Sequence, residues 1–160
     1  MRSGLIVEVG GASPLSPLWV GNQLAPLRSK ILGGIMNVQH EKFREVSKVA
    51  HDAGHQAATT IIPTPMVVVG RDPETGRTYE YEPIADGVCG FAWIWFKGNT
   101  SWARWAKKNL RVGKGYPNGL RIWVNDYRQS LTRKEAYAEA YAKVLREELG
   151  IQAYGMGRMD

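Results

Sequence analysis

The chain has 160 residues, with 21 basic and 15 acidic side chains for a formal charge of +6. That length specifies one domain with an appended arm, large enough to bury a genuine core. The single cysteine, Cys89, excludes an internal disulfide; no apolar run is long enough to cross a bilayer, and the N-terminus lacks the basic-then-apolar layout of a secretory signal.

The isoelectric point near 9.5 permits contact with nucleic acid or an acidic surface without demanding it. Six tryptophans and seven tyrosines are many for this length, and such side chains serve cores and interfaces alike.

Residues 1–36 read as an extended N-terminal arm, rich in glycine and proline up to Gly34. Those residues break regular elements. Between them lie apolar positions, chiefly Leu5, Ile6, Val7, Leu18 and Trp19. A segment that is irregular yet apolar needs a surface to lie against, either its own domain or a neighbouring subunit. The second option makes these five residues an assembly arm.

From residue 37 to 160 the pattern is that of a single domain. Residues 37–59 carry Phe43, Val46, Ala50, Ala53 and Ala57 at helical spacing, and Pro63 should close that helix. His51 and His55 stand one turn apart, the spacing of two metal ligands. No glutamate flanks His51 and no third ligand is near in sequence, so paired surface or half-buried histidines are the better reading. Residues 66–69 and 78–82 flank the turn RDPETGR and read as a hairpin. From Arg71 to Asp86 there are five acids and two bases, a local net of −3.

The run GVCGFAWIWF at 87–96 is apolar on both faces, as expected of a central strand covered on both sides. Its Cys89 sits in a context that partly resembles the nucleophile segment of papain-like proteases. All three histidines precede it, however, so a buried, inert thiol is expected. The run Asn99-Thr-Ser offers a cap for a short helix in which Trp102, Trp105, Ala106 and Leu110 could face inward. Residues 113–119 read as a loop and Leu120, Ile122 and Val124 as alternate positions of a strand. Thr132 and Glu135 have the spacing of a capping box for a long alanine-rich helix. Arg133 and Lys134 stand in its first turn, against the helix dipole, either solvated or facing an acidic partner. Gly150 should end this helix in a left-handed turn, and residues 151–156 follow as a strand. The expected class is α+β, a mixed β-sheet with packed helices and an irregular arm. A small parallel α/β unit over the last strand–helix–strand–helix–strand run is the alternative.

The most distinctive charge feature spans 97–121. It holds Lys97, Arg104, Lys107, Lys108, Arg111, Lys114 and Arg121 with no acid, interleaved with Trp102, Trp105 and Tyr116. Cations neutralise phosphates and exposed aromatic rings stack on single-stranded bases, which makes this stretch a candidate nucleic-acid contact. The alternatives are a helix with tryptophans in the core and lysines in solvent, or a contact with the acidic hairpin of a neighbouring subunit, which can close into a ring. The phosphate-loop pattern is absent, and Asp126 and Glu135 lack an acid–base partner, so no catalytic, metal or cofactor site is expected.

The segments PTPMVV from Pro63, DGVCGFAW from Asp86, ARWAKKN from Ala103 and NDYRQS from Asn125 resemble a group of small uncharacterised proteins of tailed bacteriophages, over about residues 60 to 160. RKEAYA from Arg133 and the ending RMD fit the same resemblance. It implies a phage origin and no particular activity. The functional expectation is a virion structural or assembly protein, such as a head–tail neck or minor capsid component. Its expected partners are other virion subunits or its own copies, in the virion or host cytoplasm. A nucleic-acid-binding or host-interaction protein is the alternative.

Overall fold

The computed structural model describes residues 24–160, and the assembly-arm positions Leu5, Ile6, Val7, Leu18 and Trp19 lie outside them. Helix α1 spans Leu24–Thr60, so residues 24–36, which the sequence places in an extended arm, are helical. Pro26 stands in the first turn, where the missing N–H has no intrahelical partner to lose. Gly33 and Gly34 cost about 1 kcal/mol each relative to alanine and lower helix propensity without forbidding it. Residues Asn37–Asp160 form a compact unit by themselves.

Within that unit, β1 (Val69–Arg71) and β2 (Thr78–Glu80) make an antiparallel hairpin. The Asp72 carboxylate accepts from the backbone N–H groups of Glu74 and Thr75, at 2.8 and 3.0 Å, and closes the turn. The bonds from Thr75 and then Glu74 hold its pKa below the usual carboxylate range. Strand β3 (Gly90–Lys97) leads to helix α2 (Ser101–Asn109), then β4 (Gly113–Gly115), β5 (Gly119–Trp123), helix α3 (Leu131–Leu149) and β6 (Ala153–Met159). The start of the expected loop at 113–119 is thus the edge strand β4.

The fold is α+β. The larger sheet has the order β4-β5-β3-β6, and every pairing in it is antiparallel rather than mixed. The strand–helix–strand run 119–159 does not make an adjacent parallel pair. β5 and β6 both run antiparallel to β3 and lie on its two sides, so α3 crosses over β3 to join them. A sequence of alternating elements cannot distinguish this arrangement from a parallel unit, because both need the same crossover helix.

One face of the sheet is covered. Ala92, Ile94 and Phe96 of β3 are fully buried there, with Leu120 of β5 and Ala153 of β6 beside them. Trp102 of α2 packs on Phe96 at 6.4 Å between ring centroids, and Phe43 of α1 meets Trp102 edge-on at 5.9 Å. Burying a side chain of the size of Phe96 or Ile94 contributes about 1.5–3 kcal/mol. Of the three cap candidates Asn99-Thr-Ser, it is Thr100 that caps α2, accepting from the Ala103 N–H at 3.0 Å. The buried stripe of α1 is Phe43, Val46, Ala50, Gly54 and Ala58; Ala53 and Ala57, expected inside, are only half-buried. The stripe turns because Gly54 gives room to the Tyr137 ring, within 2.8 Å of where a Cβ would stand.

Helix α3 ends as predicted, with Gly150 left-handed at φ 62° and its N–H bonded to the Arg146 carbonyl. Its start differs. The N-cap is Ser130, which makes no side-chain cap bond; its buried hydroxyl donates to the Asp86 carbonyl at 2.6 Å. Thr132 and Glu135 already lie inside the helix, so they form no capping box. The entry to α3 is held by chain pairing instead: the Gly90 N–H bonds to the Gln129 carbonyl, and the Leu131 N–H to that of Val88, both at 3.0 Å.

The first-turn cations are also differently employed. Lys134 is buried, and its Nζ donates to the Gly90 carbonyl at 3.0 Å and lies 5.7 Å from the Phe91 ring. Arg133 reaches the Ala58 carbonyl at 3.1 Å. Both side chains tie α3 to neighbouring elements, and neither is simply solvated or turned to an acidic partner. Substituting Lys134→Ala should cost about 1–3 kcal/mol through the lost charge-assisted bond and a vacated buried site. Urea denaturation with an unchanged slope would register it.

Candidate interaction surfaces

The helices α1, α2 and α3 all pack on the covered side, and no described helix covers the other face of the sheet. β3 is central, as predicted, but the described residues cover it on one face only, where the sequence leads one to expect cover on both. Side chains alternate along a strand, so the residues opposite Ala92, Ile94 and Phe96 point to the open side. These are Phe91, Trp93, Trp95 and Lys97. The register adds Trp123 beside Trp93, Arg121 and Tyr154 on either side of Trp95, and Arg158 beside Phe91. Phe91 is 37% exposed, Trp123 39% and Tyr154 50%; Trp93 and Trp95 are half-buried.

The rings on this face form two groups. Phe91 and Trp93 meet Trp123 edge-on at 6.4 and 5.2 Å, and Trp95 stacks with Tyr154 at 5.8 Å with 27° between planes. The Arg121 guanidinium lies 4.5 Å from the Trp123 ring centre, a cation–π contact. Gly119 and Gly115 give Trp95 its seat: a Cβ at Gly119 would collide with the indole, and one at Gly115 would stand 2.8 Å from it. Lys97, Arg121 and Arg158 make this face cationic, and the strand positions that point to it include no acid; Asp160 follows β6 directly.

The hairpin is the second exposed apolar surface. Val67, Val68, Val69, Tyr79, Tyr81 and Ile84 are all exposed. Tyr79 covers Gly70 across the pair and meets the Tyr81 ring at 5.3 Å. Both faces of this two-stranded ribbon are open, and such a ribbon is marginal by itself. Its sequence carries the local charge of −3 between Arg71 and Asp86.

The candidate contact stretch 97–121 is divided by the fold. Trp102 and Trp105 are 1% and 6% exposed and belong to the core, so they cannot stack on a base. Arg104, Lys107 and Lys108 lie on the exposed side of α2, across the sheet from Lys97 and Arg121. Lys114 and Tyr116 are exposed at the β4 edge, and Arg111 follows α2. Amphipathic packing of α2 accounts for this division: its tryptophans meet Phe96 and Phe43, which leaves its cations to solvent.

The histidines bond to tyrosines. His51 Nδ1 lies 2.6 Å from the Tyr137 hydroxyl, and His55 Nδ1 lies 2.8 Å from that of Tyr127. Burial raises the Tyr137, Tyr141 and Tyr127 phenols above their ordinary pKa, so all three remain neutral hydrogen-bonding groups near pH 7. Among the described residues no group of three or more His, Cys, Asp or Glu side chains is placed to hold a metal ion, and no helix is long and apolar enough to cross a membrane. Cys89 is half-buried and pairs with Ser130 through an isolated bridge.

Comparison of the chain with family models, with curated proteins and with solved structures finds no match.

Proposed function

We propose that the chain is a structural subunit that works by associating with copies of itself, the acidic hairpin of one copy resting on the basic, aromatic sheet face of the next. The observation that carries this reading is the presence of two exposed apolar surfaces of opposite charge on one compact unit. Exposed patches of this kind mark association sites, and opposed charges fix which patch meets which. Because the two patches differ, the contact is head-to-tail and propagates into a ring or a filament. The phage resemblance implies only an origin; with it, this reading makes the chain a virion subunit of a tailed phage, such as a head–tail neck or minor capsid component. Size-exclusion chromatography with light scattering tests it: the expected species is a multiple of the 17.8 kDa chain, and a strict monomer at high concentration contradicts it.

A second reading has its own observation. Exposed rings on a sheet beside Lys97, Arg121 and Arg158 are what a single-stranded nucleic acid needs, bases on the rings and phosphates on the cations. An oligothymidylate should then quench tryptophan fluorescence, with log K falling against log salt at a slope of about −2 for three phosphate contacts. The charge reversal that abolishes it is Lys97→Glu with Arg158→Glu, whereas reversal at Lys107 and Lys108, on the exposed side of α2, should leave it in place. No retention on single-stranded DNA at low salt ends this reading.

A further inference from the structure

A cleft of about 650 Å³ opens between α1, the end of α2, the end of β5 and α3. Its walls are built from residues one turn apart. Arg44, Lys48 and His51 line it from one stripe of α1, Trp105 and Asn109 from α2, and Tyr137 and Tyr141 from α3. Arg111 and Asn125 close it from the segments after α2 and β5. The cleft therefore gathers three permanent cations and an imidazole, and among the described residues no carboxylate lines it. Glu41 lies 3.7 Å from Arg44, in a solvent-exposed pair that is worth little and leaves the guanidinium available.

We propose that this cleft binds a nucleoside phosphate, a function distinct from the self-association above although Trp123 of the open sheet face also lines the cleft. Arg44, Lys48 and Arg111 neutralise the phosphate; an arginine offers paired donors to its oxygens and a lysine a point charge. When Tyr137 donates to His51 Nδ1, the imidazole carries its own proton on Nε2, a further donor for an anion. The Trp105, Tyr137 and Tyr141 rings supply walls for a flat heterocycle. Asn125 presents an amide donor and acceptor side by side, the pattern that pairs with the N6 and N7 edge of adenine. Asn109 donates to the Trp105 carbonyl at 2.8 Å, which fixes its amide and leaves its oxygen as an acceptor. The volume lies within the range of small-ligand sites.

Titration calorimetry on the full chain tests the proposal, with adenosine 5′-monophosphate as the probe and adenosine and inorganic phosphate as its separate halves. The nucleotide should bind at least about ten-fold more tightly than either half, and Lys48→Glu with Arg111→Glu should weaken it by at least about ten-fold. Both substituted residues are exposed, so the double variant should fold as the parent does. Lys97→Glu with Arg158→Glu, on the open sheet face, should leave nucleotide affinity unchanged, which separates this site from the proposed assembly surface. No heat of binding from the nucleotide, binding indifferent to the Lys48 and Arg111 reversals, or phosphate alone binding as well as the nucleotide would each overturn the assignment.

Discussion

Gly155→Val is expected to destabilise the fold by about 3 kcal/mol or more, the upper range for overpacking a well-filled core. Helix α3 rests on β6 through residues without bulk. A Cβ at Gly155 would lie 2.7 Å from the Glu139 Cα and 2.8 Å from the Ala138 carbonyl carbon, and closer still to the Glu139 amide nitrogen. All of these are backbone atoms of a 19-residue helix, so relief requires the helix to move as a body. Ala138 and Ala142 are fully buried, and their small side chains permit this approach. The contact is also clamped. The Glu139 carboxylate accepts from the Gly155 N–H at 3.0 Å and from Arg146 at 2.6 Å, while Arg146 reaches the Ala153 carbonyl at 2.7 Å. Gly157 makes a useful contrast. The three atoms nearest a Cβ there all belong to the flexible Glu135 side chain, which can swing away, so Gly157→Ala should cost less than about 1 kcal/mol. Urea titrations of the two variants separate these expectations, provided the slope is unchanged.

The second large effect concerns association. Lys97 and Arg158 are exposed on the open face, and reversing both to glutamate leaves the core and the ring contacts of Trp95 and Trp123 in place. Against a neighbour's acidic hairpin, the double variant converts two attractions into like-charge contacts. Such juxtapositions cost several kcal/mol, so the apparent dissociation constant should rise by about 100-fold or more. Glu80→Arg with Glu82→Arg on the hairpin should do the same from the other side. Equal circular dichroism spectra and urea midpoints for parent and variants would show that association alone has changed.

Local signals were readable in the chain. The alanine-rich helix α3 with its terminal Gly150, the cap of α2 within Asn99-Thr-Ser and the turn after Arg71 each depend on residues a few positions apart. Signals that depend on distant partners were not readable. Ser130 and Lys134 look like helix-entry residues, yet they bond to carbonyls 44 positions earlier, at Asp86 and Gly90. Phe91, Trp93 and Trp95 look like the second covered face of a central strand. An apolar row reads the same whether its cover comes from within the chain or from another molecule. Trp123, Tyr154 and Arg158 join that row only through the register of three strands, which no local pattern encodes. The run of cations at 97–121 is contiguous only along the sequence. The fold assigns its members to opposite faces of a sheet. The one-turn spacing of Arg44 with Lys48 and of Tyr137 with Tyr141 is visible in the sequence, but their convergence on one cleft is a tertiary event.

Light scattering on the two reversal variants, separately and mixed, tests the self-association most directly. Each variant alone carries hairpin and sheet face of the same sign and is predicted to be monomeric. Mixed in equal amounts, they offer each other opposite signs at both contacts and are predicted to assemble with the mass of the parent species. A parent chain that is itself monomeric at high concentration, or variants that assemble alone as well as together, would contradict the proposed contact.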